Sequence, residues 1–168
     1  GKAYLAFAVN GAKRMMQLIK DLLEYSRIGS QTKPFQEVDC RKVVDLAVSD
    51  LATAIKETEA RVAIDSLPIV TGDSNQLVSL FENLLTNAVK YRSKGVTPEI
   101  RISAEKKENA WVFAVQDNGI GIEKENASKI FEIFRRAGNT DNVRGLGMGM
   151  AFVKAVLRKL DGTITVES

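Results

Sequence analysis

Three short stretches carry residues whose types and spacing could do chemistry. In "FENLLTNAVKY", Asn83, Asn87 and Lys90 fall within about 60° of one another on a helix turning about 100° per residue. They border the apolar stripe of Leu77, Phe81, Leu84 and Ala88. Asparagine is a poor helix-interior residue unless its amide has a partner. Amide oxygens are hard neutral ligands that suit Mg²⁺, and a lysine is a point charge for phosphate; solvated asparagines on an exposed face are the plain alternative. In "QDNGIGI", an alternating apolar run ends at Asp117, and Gly119 and Gly121 follow. A carboxylate at a strand end can accept a hydrogen bond from an exocyclic amine while a flat ring slides against bare backbone. Asn118 and Gly119 equally spell a turn. A calcium loop does not fit, since position 119 is glycine where such a loop wants a carboxylate or amide. In "RGLGMGMAFVKAVL", Gly145, Gly147 and Gly149 precede an apolar run with helical spacing. They uncover backbone N–H groups at a helix N-terminus, which suits phosphate. The spacing is neither GxGxxG nor a P-loop, and a plain glycine loop gives the same pattern. Arg135, Arg136 and Arg144 could meet phosphate oxygens or stay solvated.

Composition narrows the chemistry. There is no histidine, so His-based acid/base work, His-containing metal sites and a Ser-His-Asp triad are excluded within these 168 residues. The net charge of +3, from 24 basic and 21 acidic side chains that form no basic-aromatic patch, argues against nucleic acid. One cysteine, Cys40, makes no disulfide framework and fits a reducing compartment. No apolar run reaches the roughly 18 residues of a membrane span, and nothing reads as a secretory signal, so the expectation is cytoplasmic with no direct membrane contact. The first residue is not methionine, which suggests an excerpt of something longer.

Elements must position these clusters. Apolar or small residues recur at Leu5, Ala8, Ala12, Met15, Ile19, Leu22 and Ser26, the seam of a helix that pairs with another helix, and Gly29 and Ser30 end it. The pattern reads either as a core helix or as part of a helical hairpin or coiled-coil dimer, and the polar flanks favour the second. Residues 30–38 read as a linker. Asp39 caps a helix whose Val43, Val44, Ala47, Leu51 and Ile55 share a face. "RVAID" alternates like a short strand, and Asp73 with Gln76 resembles a capping box opening a helix through about Tyr91. "EIRISAEK" and "AWVFAVQD" read as an antiparallel hairpin turning at Glu108 and Asn109. A short helix near Phe131, a loop over 138–147, the helix after the glycines and a strand "TITVES" follow. The order implies an α+β sandwich with helices on one face of a mixed sheet.

Taken in sequence, the amide-bearing helix, Asp-x-Gly-x-Gly at a strand end, Phe131 and Phe134, and a glycine loop opening a helix resemble four motif boxes. They are those of the sensor histidine kinase ATP-binding domain, the Bergerat nucleotide fold shared with gyrase, heat-shock chaperone ATPases and MutL. The resemblance runs from about Asp39 to Ser168, implying an ATP-binding catalytic domain over 39–168 that lacks its last strands. Residues 1–29 look like the second helix of the kinases' dimerisation hairpin, of the variety seen among phytochrome-like sensors. The resemblance implies ATP and Mg²⁺ as cofactors. It makes Asn83, Asn87 and Lys90 catalytic, with Asn87 the metal ligand and Lys90 and Tyr91 near the phosphates. Asp117 would bind the adenine amine, with Gly119, Gly121 and Ile122 shaping the base pocket. Phe131 and Phe134 would anchor a lid hinged at Gly145, Gly147 and Gly149, with Arg144, Leu146 and Met148 completing the nucleotide contacts.

The activity implied is transfer of the ATP γ-phosphoryl group to a histidine outside this chain. A homodimer through the hairpin and a response regulator receiver domain are the implied partners. Leu146 stands where the kinases often place threonine or serine, and the helix bearing the acceptor histidine is missing, so the chain alone should not phosphorylate itself. The alternatives are a clamp ATPase of the gyrase, chaperone or MutL class and a degenerate nucleotide-binding module. Such ATPases place a water-activating glutamate one turn before the metal-binding asparagine. Here that position is Asn83, which cannot take a proton, and Glu82 lies about 140° around the helix from Asn87.

Overall fold

The computed structural model describes residues 1–30, 33–133 and 148–168. Two helix starts are fixed by side chains that the sequence marks. Asp39 accepts from the Arg41 backbone N–H at 2.9 Å and Asp73 from that of Gln76 at 3.0 Å, each satisfying a donor that the first turn leaves unpaired. They open α2 (Cys40–Asp50) and α4 (Ser74–Lys90). The helix expected to run on to Ile55 bends at Leu51 (φ −97°, ψ 11°) and resumes as α3 (Ala52–Thr58). The bend keeps Leu51 and Ala54 packed on the core that Val43, Val44 and Ala47 enter.

The hairpin forms as its alternation predicts. β4 (Glu99–Lys107) pairs antiparallel with β5 (Ala110–Asp117), from Ile100 opposite Asp117 to Lys107 opposite Ala110, and the turn holds Glu108 at φ +34°. β2 (Arg61–Ile64) lies parallel to β4 on its other side, giving a mixed sheet in the order β2-β4-β5. Ile100 and Ile102 are buried on one face, while Glu99 and Arg101 point to solvent on the other. Against the buried face pack Phe81 and Leu85 of α4, Val44 of α2, and Phe152, Val153 and Val156 of α5 (Gly149–Lys159). Phe81 meets Phe113 of β5 edge to face, with centroids 6.0 Å apart. Burying side chains of this size contributes roughly 1.5–3 kcal/mol each, so the helices hold to one side of the sheet, as the pattern implied.

Two further expectations are corrected, and one strand is added. The expected linker over 30–38 contains β1 (Gln36–Asp39), which pairs antiparallel with β3 (Ile69–Gly72) in a second, two-stranded sheet. β3 itself escaped the sequence reading, because Ile-Val-Thr-Gly does not alternate apolar with polar residues. The segment "TITVES" joins no ladder among the described residues. Alternation states which side chains would share a face and says nothing about a hydrogen-bonding neighbour.

α1 (Lys2–Ser30) forms as one helix through Gly29, and it carries two stripes. Only its C-terminal end docks on the domain. Ile28 is buried and Tyr25 packs on the core, in line with half-buried Leu18 and Asp21. The seam of Leu5, Met15, Ile19 and Leu22, set about 100° around the helix from that line, stays exposed.

Where α1, α2 and α4 meet, Glu82 faces Asp50 of α2 and Glu24 and Lys20 of α1. Burial raises its carboxyl from the ordinary 4.5 to about 7, helped by the hydrogen bond and charge of Asp50 and the charge of Glu24, with Lys20 acting in the opposite sense. The folded state therefore binds this proton more tightly than the unfolded chain does. Its stabilising contribution is complete below about pH 4.5 and is lost as pH rises through about 7. Glu82→Gln keeps a donor for Asp50 and removes the charge. It should flatten the loss of stability across that window and, after discounting for partial exposure, raise Tm at pH 8 by roughly 2–4 °C. Thermal unfolding from pH 4 to 8 checks this; parallel curves for the two proteins would contradict it.

Candidate nucleotide site

The site begins where α4 ends. Tyr91 closes the helix by donating its N–H to the Asn87 carbonyl at 2.9 Å, and its own carbonyl accepts the Ile120 N–H at 2.9 Å. That bond brings the chain leaving β5 across the end of α4. It requires Gly119: a Cβ there would lie 2.5 Å from the Tyr91 carbonyl oxygen and 2.8 Å from Asp117 Oδ1. Gly121 follows at φ +73°, a conformation that glycine adopts at little cost, and the Ile122 N–H donates to Ser168 Oγ at 2.9 Å.

Asp117 is exposed at the end of β5. Its Oδ1 accepts the Gly119 N–H at 2.8 Å, and Oδ2 has no partner among the described residues. The register that sets Asp117 opposite Ile100 turns it to the helix-covered side of the sheet. A carboxylate with one oxygen held and one open can accept a hydrogen bond from an amine.

The amides divide their roles. Asn83 donates its Nδ2 to the Ser79 carbonyl at 2.8 Å, one turn back in α4. Its Oδ1 lies 2.7 Å from where a Cβ of Gly149 would stand, so it touches the first residue of α5. Asn87 is half-buried and its amide makes no side-chain hydrogen bond among the described residues. Lys90 is half-buried, with Nζ 5.2 Å from the Tyr91 ring centroid. Met148 is 3% exposed, so what it can offer a ligand is backbone rather than side chain. Ile122 is half-buried beside Gly121.

The structure thus brings Asn83 to Gly149, and Lys90 and Tyr91 to Gly119, Ile120 and Asp117. Phe134, Arg135, Arg136, Arg144, Gly145, Leu146 and Gly147 lie outside the described residues. Phe131 closes a short 3₁₀ turn over Lys129–Phe131, with Lys154 of α5 above its ring at 5.7 Å. The residue that sequence reasoning undervalued is Asn118, read only as part of a turn. Its side chain bonds to the far side of the hairpin.

Both implied groups fit these residues. For a purine nucleotide there is bare backbone at Gly119 and Gly121 beside the open Asp117 oxygen. For a divalent cation there is the uncommitted Asn87 amide. No group of three or more His, Cys, Asp or Glu able to hold a metal occurs among the described residues. That composition suits Mg²⁺ held by one protein oxygen together with phosphates, rather than in an all-protein cage. A hollow of about 420 Å³ on the sheet is lined by Arg61, Glu99, Arg101 and Asn118, and by Ile100 and Asp117 as well. There Arg61 pairs with Glu99 at 3.5 Å, and Arg101 with the nearby Asp65 at 2.9 Å, so the charges cancel locally and the hollow is no second anion site.

Residues 72–168, which include every described residue of the site, match the family described as histidine kinase-, DNA gyrase B-, and HSP90-like ATPase. Cyanobacterial phytochrome A of Nostoc sp. is 42% identical over 165 residues, covering 98% of this chain and 21% of that protein. The chain spans about a fifth of the length of the curated relatives it matches. Among solved structures, the mycobacterial sensor histidine kinase MprB is 25% identical with a TM-score of 0.68, covering 79% of this chain and 85% of that one. Full-length ShkA, in complex with AMPPNP, shares the fold at 22% identity with a TM-score of 0.78, covering 99% of this chain and 35% of that one. The chain belongs to the histidine kinase-, DNA gyrase B- and HSP90-like ATPase family, and within it to the ATP-binding catalytic domains of sensor histidine kinases.

Proposed function

We propose that this chain binds Mg-ATP between α4, the end of β5 and the start of α5, and directs its γ-phosphoryl group to a histidine carried on a preceding helix. The observation that carries the reading is the Asp117 carboxylate, open at Oδ2 and held across the end of α4 by the Ile120–Tyr91 hydrogen bond. It fixes a base one helical turn beyond Asn87. Asp117 accepts the base amine, the backbone at Gly119 and Gly121 lies beside the ring, Asn87 supplies a neutral oxygen for the cation, and Lys90 approaches phosphate. Mg²⁺, when bound, neutralises charge on the phosphates during in-line transfer. The residues here position and shield; none takes a proton.

The location of Glu82 favours a kinase over a clamp ATPase. The only carboxylate in "ENLLTN" faces α2 and α1 rather than the amides, so α4 offers no base to activate water against the nucleotide. The exposed seam of α1 supports pairing with a histidine-bearing helix in a homodimer, from which phosphate would pass to a response regulator receiver domain. No described helix is long and apolar enough to cross a membrane. A cytoplasmic location fits the single free cysteine and the nucleotide.

Asp117→Asn should weaken ATP by about 1.5–3 kcal/mol, or ten- to a hundredfold, through loss of a charged acceptor. Calorimetry giving equal affinities for the two proteins would remove Asp117 from the base pocket. A second measurement addresses the transfer. The protein extended upstream through the acceptor helix should incorporate label from γ-labelled ATP into an acid-labile, base-stable phosphohistidine, while the 168-residue chain alone should not. Asn87→Ala should abolish labelling in the extended protein. Should that protein bind ATP yet release phosphate to water without labelling itself, the clamp-ATPase reading would replace this one.

A further inference from the structure

Asn118 makes contacts that a turn does not need. A turn asparagine bonds its own backbone about two residues on, and in this loop Asp117 already does that, through the Gly119 N–H. Asn118 reaches backward instead. Its Oδ1 accepts the Glu99 N–H at 2.8 Å and its Nδ2 donates to the Thr97 carbonyl at 3.0 Å, 19 and 21 positions earlier in the chain. Both partners lie at the point where the loop from α4 enters β4, on either side of buried Pro98.

These two bonds complete a ring. From Tyr91 the chain runs through the loop to Thr97 and Glu99. The Asn118 amide crosses from there to the end of β5, and the Ile120 N–H returns to the Tyr91 carbonyl. Asp117 immediately precedes the residue that closes that ring, its backbone in register with Ile100 and its Oδ1 tied to Gly119. The bonds at Ile120 and Gly119 hold the far side of the carboxylate. Only the Asn118 side chain ties the near side to the α4–β4 loop among the described residues.

We propose that Asn118 is a positioning residue that sets the direction of Asp117 Oδ2, and thereby the preference of this site for a base bearing an exocyclic amine. The proposal rests on the nucleotide reading above. It ascribes to Asn118 no contact with the nucleotide. A carboxylate free to swing would still repel phosphate and still present backbone to a ring. What it would lose is the directional acceptor, so the penalty should fall on nucleotides with the amine and spare those without it.

The test compares two nucleotides by calorimetry: ATP and purine riboside triphosphate, which lacks the exocyclic amine. Wild type should prefer ATP by at least about tenfold. Asn118→Ala should lose most of that preference while binding the amine-free nucleotide as wild type does. In an Asp117→Ala background, Asn118→Ala should cost ATP affinity nothing further. Asn118→Asp keeps the acceptor for the Glu99 N–H and drops the donor to Thr97. Its preference should fall between wild type and Asn118→Ala, and it carries the test if the alanine variant does not fold. Because Asn118 is exposed, its truncation leaves no core cavity. Equal weakening of both nucleotides, or losses that add across the two sites, would overturn the positioning role while leaving Asp117 in place. A wild-type protein that binds ATP with no preference over the amine-free nucleotide would overturn the Asp117 assignment and this inference with it.

Discussion

A single hydrogen bond, from the Ile120 N–H to the Tyr91 carbonyl, joins the two halves of the candidate site. The last carbonyls of a helix have no partner within it, and the end of α4 needs one. Here the partner is the chain leaving β5 rather than water or a local cap. Its approach is so close that position 119 tolerates no Cβ. The helix with the amides and the strand with the carboxylate are thereby fixed to each other by backbone, so the span between Asn87 and Asp117 does not depend on side-chain rotamers. The second glycine contact follows the same logic. Asn83 lies against α5 because Gly149 has no side chain to hold it off.

Viewed through those contacts, the glycines of the last two motifs serve different ends. Gly119 and Gly149 are bare because protein atoms occupy the space a Cβ would need, one a carbonyl and the other an amide. Gly121 is bare for its backbone angle, φ +73°. The candidate site is thus built by bringing secondary structure unusually close.

The opposite face of α4 is organised around charge. Glu82, one residue before Asn83, turns to Asp50 and to Glu24 and Lys20 of α1. One helix thus presents amides to the site and a proton-holding carboxylate to the junction with α1. The docked end of α1, at Tyr25 and Ile28, lies close to that junction, while its long apolar seam stays exposed. The same separation keeps the one acid of α4 away from its amides. A carboxylate on the amide face would serve hydrolysis, and the helical period assigns it elsewhere.

Much of this was legible in the residues themselves. The caps at Asp39 and Asp73, the hairpin from Glu99 to Asp117, the 3.6-residue face of α4 and the order of the motif boxes are local patterns, and local patterns depend only on neighbours in the chain. The angle between Glu82 and Asn87 follows from the helix alone. The contacts across the chain were not legible. β1 and β3 show no clean alternation and are defined by pairing with each other. The TITVES segment alternates as a strand does and still has no ladder among the described residues, because pairing is decided by what lies alongside. In α1, the apolar repeat marks a seam that stays exposed, and the domain took the neighbouring line through Tyr25 and Ile28. Asn118 looked like a turn residue, and only the fold brought Thr97 and Glu99 within reach of its amide. Sequence determined which groups stand on each element. Tertiary structure decided which of them meet, because the register of the sheet and the crossing of α4 by the chain after β5 are set by long-range packing that no local period encodes.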